Sequence, residues 1–152
     1  MYVDVHCHLD HQAYLQDLDK VIENCRKNKI IAVSCGVNKD SNRKVLEISK
    51  KYNDIVKAAL GIFPFDAIGI SRDSSYSGEM PEKFDPNEEI EFIRKNKDNI
   101  VAISEVGLDK SIPNHQIEKQ QKIFQKIISL SEKIKKPLIV HSRKAELECI
   151  EA

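Results

Sequence analysis

Asp4-Val5-His6-Cys7-His8 carries a carboxylate and two imidazoles at alternate positions. In a strand, side chains at i and i+2 point the same way, so Asp4, His6 and His8 share one face and Val3, Val5 and Cys7 the other. The apolar face suits packing against helices. Two imidazoles at this spacing can hold one divalent metal through neutral nitrogen donors suited to Zn, Mn or Fe. The bland alternative is two partly exposed histidines in a strand-to-loop turn.

Ser104-Glu105-Val106-Gly107-Leu108-Asp109 puts Glu105 just past an apolar run. A carboxylate there can bridge two metals or accept a proton, and Gly107 permits a tight turn beside it. In isolation Glu105 reads more simply as the first residue of a loop. His141 again follows an apolar strand, in Pro137-Leu138-Ile139-Val140-His141-Ser142-Arg143. Alone it reads as a hydrogen-bonded structural residue. Together, His6, His8, Glu105 and His141 form a set of metal-type ligands at the C-terminal ends of three separate strands, which structural packing does not predict. Arg143 can meet a phosphate oxygen as a fork-shaped donor, or equally form a salt bridge.

Strands and helices must alternate to place these groups. Tyr2 to Cys7, Ile30 to Cys35, Ile55 to Gly61, Ile100 to Ser104 and Leu138 to Val140 read as strands. Leu15 to Arg26 reads as a helix with Leu18, Val21, Ile22 and Cys25 inward. Asp40 or Ser41 is expected to cap a second helix carrying Val45, Leu46, Ile48 and Tyr52. Asp85-Pro86 opens a third, Ile117 to Ile134 forms a fourth, and Ala145 to Ile150 starts a fifth. Within the long polar connection from about Phe65 to Phe84, the stretch Ile70 to Glu82 reads as a lid or substrate wall with Arg72 and Tyr76 as contacts, or as disorder. His11 and His115 read as surface residues. The alternation predicts an α/β fold of parallel (βα) units. Pattern alone favours an open doubly wound sheet, because a closed eight-stranded barrel needs at least ~200 residues.

The chain has 152 residues and zero formal net charge, with 32% charged and 41% hydrophobic residues. That is one domain with enough apolar content for a core. Balanced charge excludes recognition of nucleic acid by a broad basic field, so phosphate must be met by local cations or a metal. No apolar run approaches the ~20 residues of a membrane span, and Met1-Tyr2-Val3-Asp4 lacks a signal-peptide pattern, so a cytoplasmic protein is expected. Cys7, Cys25, Cys35 and Cys149 show no metal or disulfide spacing and read as core residues or free thiols.

The three motifs, D-V-H-C-H-L-D, S-E-V-G-L-D and P-L-I-V-H-S-R, in this order, resemble the TatD-type metal-dependent deoxyribonucleases. Gln120-x-x-x-Phe124 is also typical of that family. H-x-H alone would equally suit wider amidohydrolases or polymerase-and-histidinol-phosphatase domains; the Glu and H-S-R motifs argue against both. The resemblance implies a TIM-barrel-type fold with about five of its eight units present, residues 1–152 being the N-terminal portion of the domain. It implies one or two divalent ions (Mg, Mn or Zn) at the C-terminal rim. His6 and His8 would hold the first, Glu105 would bridge and act in catalysis, and His141 would belong to the second. The implied reaction is attack of a metal-activated water on DNA phosphodiesters, often from the 3′ end. Where the family commonly has G-x-H-P-H, this chain has Gly61-Ile62-Phe63-Pro64-Phe65-Asp66. The family's later histidine and catalytic aspartate, from the sixth and eighth strands, lie beyond this sequence. Two rivals stay open: a truncated metal-binding or assembly fragment without turnover, and an amidohydrolase-type enzyme acting on C–N bonds. An incomplete barrel exposes the edges of its first and fifth strands, which predicts self-association or a partner chain that covers them.

Overall fold

Each apolar run is followed by a segment of helical period, and in the structure each such pair folds as one βα unit. The computed structural model describes residues 1–70, 84–111 and 116–152. In chain order the elements are β1 (Tyr2–Cys7), α1 (Leu18–Lys27), β2 (Ile30–Cys35), α2 (Lys39–Lys51), β3 (Val56–Leu60), α3 (Pro86–Lys95), β4 (Ala102–Asp109), α4 (Ile117–Ile134), β5 (Leu138–Arg143) and α5 (Glu146–Glu151). The proposed contacts Arg72 and Tyr76, and His115, lie outside the described residues.

The strands form one sheet in the order β1-β2-β3-β4-β5, and every neighbouring pair is parallel. A doubly wound sheet reverses its strand order at a switch point; consecutive order belongs to the barrel type. Curvature points the same way. In a flat sheet β1 and β4 would run about 14 Å apart, yet His6 Nε2 on β1 lies 3.4 Å from Glu105 Oε2 on β4. The sheet therefore curls into an arc, and the fold is an incomplete TIM-barrel type rather than an open doubly wound sheet.

The main core lies between sheet and helices, where Leu60, Ile103, Val106 and Leu108 pack with Ile93, Phe124 and Ile127. A second cluster joins Ile22 and Tyr52 to Ala32 and Val56. A smaller one joins Val33, Cys35, Ala59 and Ala102. Asp85 caps α3 by accepting from the Asn87 N–H, with Pro86 at the first helical position.

Five local expectations are corrected. The cap of α2 is Asn38, whose side chain accepts from the Ser41 N–H, not Asp40 or Ser41. The first helix starts at Leu18 because Gln12–Tyr14 form a separate 3-10 turn, and His11 is half-buried, its ring accepting from the Ala13 N–H. Val3 and Val5 are each 57% exposed rather than helix-covered, because α1 crosses toward β2 and leaves the outer flank of β1 bare. β4 continues to Asp109 instead of ending at Ser104, since β5 supplies a ladder as far as Asp109↔Arg143.

Candidate metal centre

The strand-end motifs meet at one end of the curved sheet. His6 Nε2 and His8 Nε2 lie 3.2 Å apart, and they stand 3.4 and 3.5 Å from Glu105 Oε2. One ligand atom from each of these three residues falls within 4.8 Å of the others, which is the convergence a divalent ion requires. Orientation is fixed from behind. The His8 Nδ1–H donates to the Cys35 carbonyl at 2.9 Å, which in the neutral imidazole puts the lone pair on Nε2, toward His6 and Glu105. The donor set of two imidazole nitrogens and a carboxylate fits Zn or Mn.

Glu105 is buried in mid-strand, and the peptide joining it to Ser104 is cis. Its second oxygen, Oε1, accepts from His141 Nδ1 at 2.7 Å, while His141 Nε2 donates to Asp109 Oδ2 at 2.9 Å. Burial alone would push the Glu105 carboxyl up. Hydrogen bonds from His141 and His8, and the charges of His141 and His6, outweigh it and hold the group well below the usual range. Burial acts to lower His141, but its bonds to Glu105 and Asp109 win and its pKa is raised. His8 is raised likewise, against burial, by Glu105 and the Cys35 carbonyl. Glu105 and Asp109 thus favour protonation of the imidazoles they face, and a dication bound there would compete with those protons.

His6, His8, Glu105 and His141 are brought together; Arg143 is not. It is exposed at the end of β5, and no carboxylate of the described residues pairs with its side chain. Gly107 makes no tight turn. It sits within β4 at φ +143°, where a Cβ would fall 2.0 Å from the His141 carbonyl oxygen. Two groups in contact with His141 were not singled out from the sequence. Asp109 comes onto the face of Glu105 and Gly107 only because β4 extends to it, beyond the strand read from the sequence. Phe63 packs its ring edge-on to His141 with centroids 4.7 Å apart, and stands where the G-x-H-P-H pattern has its first histidine. The four cysteines are free thiols. Burial with the nearby Asp4 charge pushes Cys7 up to about 12, and burial pushes Cys35 up to about 11, so neither offers a thiolate.

Consecutive parallel βα units, with histidines and carboxylates of β1, β4 and β5 converging, define an α/β protein of the TIM-barrel type. The chain belongs to the TatD-related DNase family, whose sequence model matches residues 3–152. It is 33% identical over 142 residues to an uncharacterized metal-dependent hydrolase of Methanocaldococcus jannaschii, covering 93% of this chain and 51% of that protein. Against human deoxyribonuclease TATDN3 it is 32% identical over 148 residues, covering 94% of this chain and 52% of that protein. The crystal structure of YJJV, a TatD homolog from Escherichia coli K12, shares the fold with a TM-score of 0.78 at 21% identity, covering 99% of this chain and 54% of that one. The chain spans about half the length of the curated relatives it matches. No helix among the described residues is long and apolar enough to cross a membrane.

Proposed function

We propose that residues 1–152 form the N-terminal portion of a metal-dependent deoxyribonuclease domain that hydrolyses DNA phosphodiester bonds from the 3′ end. The observation that carries this reading is the two-sided placement of Glu105, with Oε2 toward His6 and His8 and Oε1 toward His141. His6, His8 and Glu105 would hold one divalent ion (Mg, Mn or Zn), and Glu105 with His141 would serve a second. When bound, such an ion supplies Lewis acidity to a phosphodiester and an acidified water, and it answers the absence of a basic field. The Cys35 carbonyl aims the His8 ring, and Asp109 aims that of His141. Arg143, exposed at the same strand ends, is the proposed phosphate contact. The relatives named as metal-dependent hydrolase and deoxyribonuclease support the class of reaction and of substrate. The same reading takes the protein as cytoplasmic.

The test is incubation of the chain and Mn²⁺ with a 5′-labelled DNA oligomer. Stepwise shortening that EDTA stops and His6→Ala abolishes is the expected result. Intact DNA despite Mn²⁺ binding would overturn the nuclease reading in favour of an assembly fragment. Intact DNA alongside turnover of a cyclic amide would favour C–N hydrolysis.

A further inference from the structure

Glu105 can face two sets of imidazoles only if its main chain is fixed, and the groups that fix it come from another layer. The Glu105 N–H donates to the Gly36 carbonyl at 2.7 Å. Gly61 lies flat against the peptide before it: a Cβ there would fall 2.2 Å from the Ser104 carbonyl carbon and 2.3 Å from the Glu105 nitrogen. Two glycines at the ends of β2 and β3 therefore flank the Glu105 backbone. Asn42, in the opening turn of α2, abuts both. A Cβ on Gly36 would fall 2.0 Å from Asn42 Oδ1. Asn42 Nδ2 donates to the Gly61 carbonyl at 2.9 Å, and its Oδ1 accepts from the Gly61 N–H at 3.0 Å.

The last residues of β3 paired with β4 are Leu60 and Ile103. One residue further on, both main-chain groups of Gly61 bond to a side chain instead of a strand. Asn42 acts there as a surrogate strand on the β3 side, over the same stretch in which β4 shifts register against β5, between Ile103 and Val106. The amide is itself braced. Its remaining Nδ2 hydrogen goes to Glu89 Oε1 at 2.7 Å. Glu89 is only 2% exposed, and its charge is met by Arg43 Nη1 at 2.5 Å, with that guanidinium stacked 3.6 Å from the Phe92 ring centroid. Burying an amide and a carboxylate stabilises less than an apolar pair of similar volume. What it supplies is direction at Gly61.

We infer that Asn42, braced by Glu89, is the positioning residue that sets the main chain of Glu105. As a statement about metal binding, this rests on the metal-centre reading above; as a statement about Glu105 geometry, it does not. The experiment therefore has two readouts on the full chain: the amide exchange rate of Glu105 relative to Ile103 in the same strand, and Mn²⁺ affinity by calorimetry. Asn42→Leu should raise the exchange ratio at least tenfold and weaken Mn²⁺ at least tenfold. Glu89→Gln, which still accepts from Asn42, should stay within threefold of wild type in both. Leu130→Ala, a core truncation remote from the site, should lower Tm and leave both readouts within threefold. If Asn42→Leu fails to fold, Glu89→Leu, which removes the acceptor bracing Asn42 and the partner of Arg43, should show the same pattern at more than threefold. An unchanged exchange ratio in the folded Asn42→Leu or Glu89→Leu variant would overturn the inference, as would Leu130→Ala reproducing the pattern. If wild type binds no Mn²⁺, the metal-centre reading falls, and the exchange ratio still decides the positioning role.

Discussion

Ionisable groups in this fold are costly unless paired, and Asp66 shows the cost most simply. Burial pushes its carboxyl up to about 6, only partly offset by the Asn38 side chain, which donates to Oδ1 at 3.3 Å. A carboxyl raised in the folded state binds protons more tightly folded than unfolded, so it takes stability away as pH rises from about 4 through 6. Asp66→Asn keeps the acceptor and removes the charge. It should stabilise the protein at pH 7.5 by on the order of 1–3 kcal/mol, with the gain largely gone by pH 4. Urea unfolding at both pH values checks this; an equal effect at each would contradict it. At this scale the sequence singled out His6, His8, Glu105 and His141 from alternation and apolar runs, which are local signals, and the structure brings these side chains together. The sequence did not reveal Asn42 with Glu89, whose hydrogen bond spans 47 positions.

Among the elements, β4 decides the site, since it carries both Glu105 and Asp109. Its pairing with β5 allows no side chain at Gly107, where a Cβ would strike the His141 carbonyl. Gly107→Ala should cost about 2–4 kcal/mol through backbone strain and overpacking. The corresponding fall in Tm is roughly 5–15 °C for a chain of this size, and a calorimetric scan within about 2 °C of wild type would contradict it. The far end of the strand is held by Gln120, which accepts from the Asp109 N–H and donates to its carbonyl. Helix α4 was legible from its apolar period, as were five strands. The extension of β4 was not, because Glu105 and Asp109 read as loop residues until a neighbouring ladder and two imidazoles give them partners.

For the whole molecule, both ends of the sheet present apolar surface. Tyr2, Val3 and Val5 are exposed on β1, and Val140, Leu147 and Ile150 on β5 and α5, with Leu147 at 71% and Ile150 at 82%. Contiguous apolar surface on strand edges and helix faces favours association. We propose that self-association or a partner chain covers these ends. If the chain covers these ends by self-association, sedimentation at micromolar concentration should show species larger than 17.4 kDa; a clean monomer would contradict self-association. Calorimetric titration with Mn²⁺ tests whether His6 and His8 hold one metal ion together with Glu105, far from them in sequence. Wild type should show saturable binding of one or two ions, lost in His6→Ala and in Glu105→Ala at unchanged fold. Binding absent from wild type, or equal in both variants, would contradict that shared site.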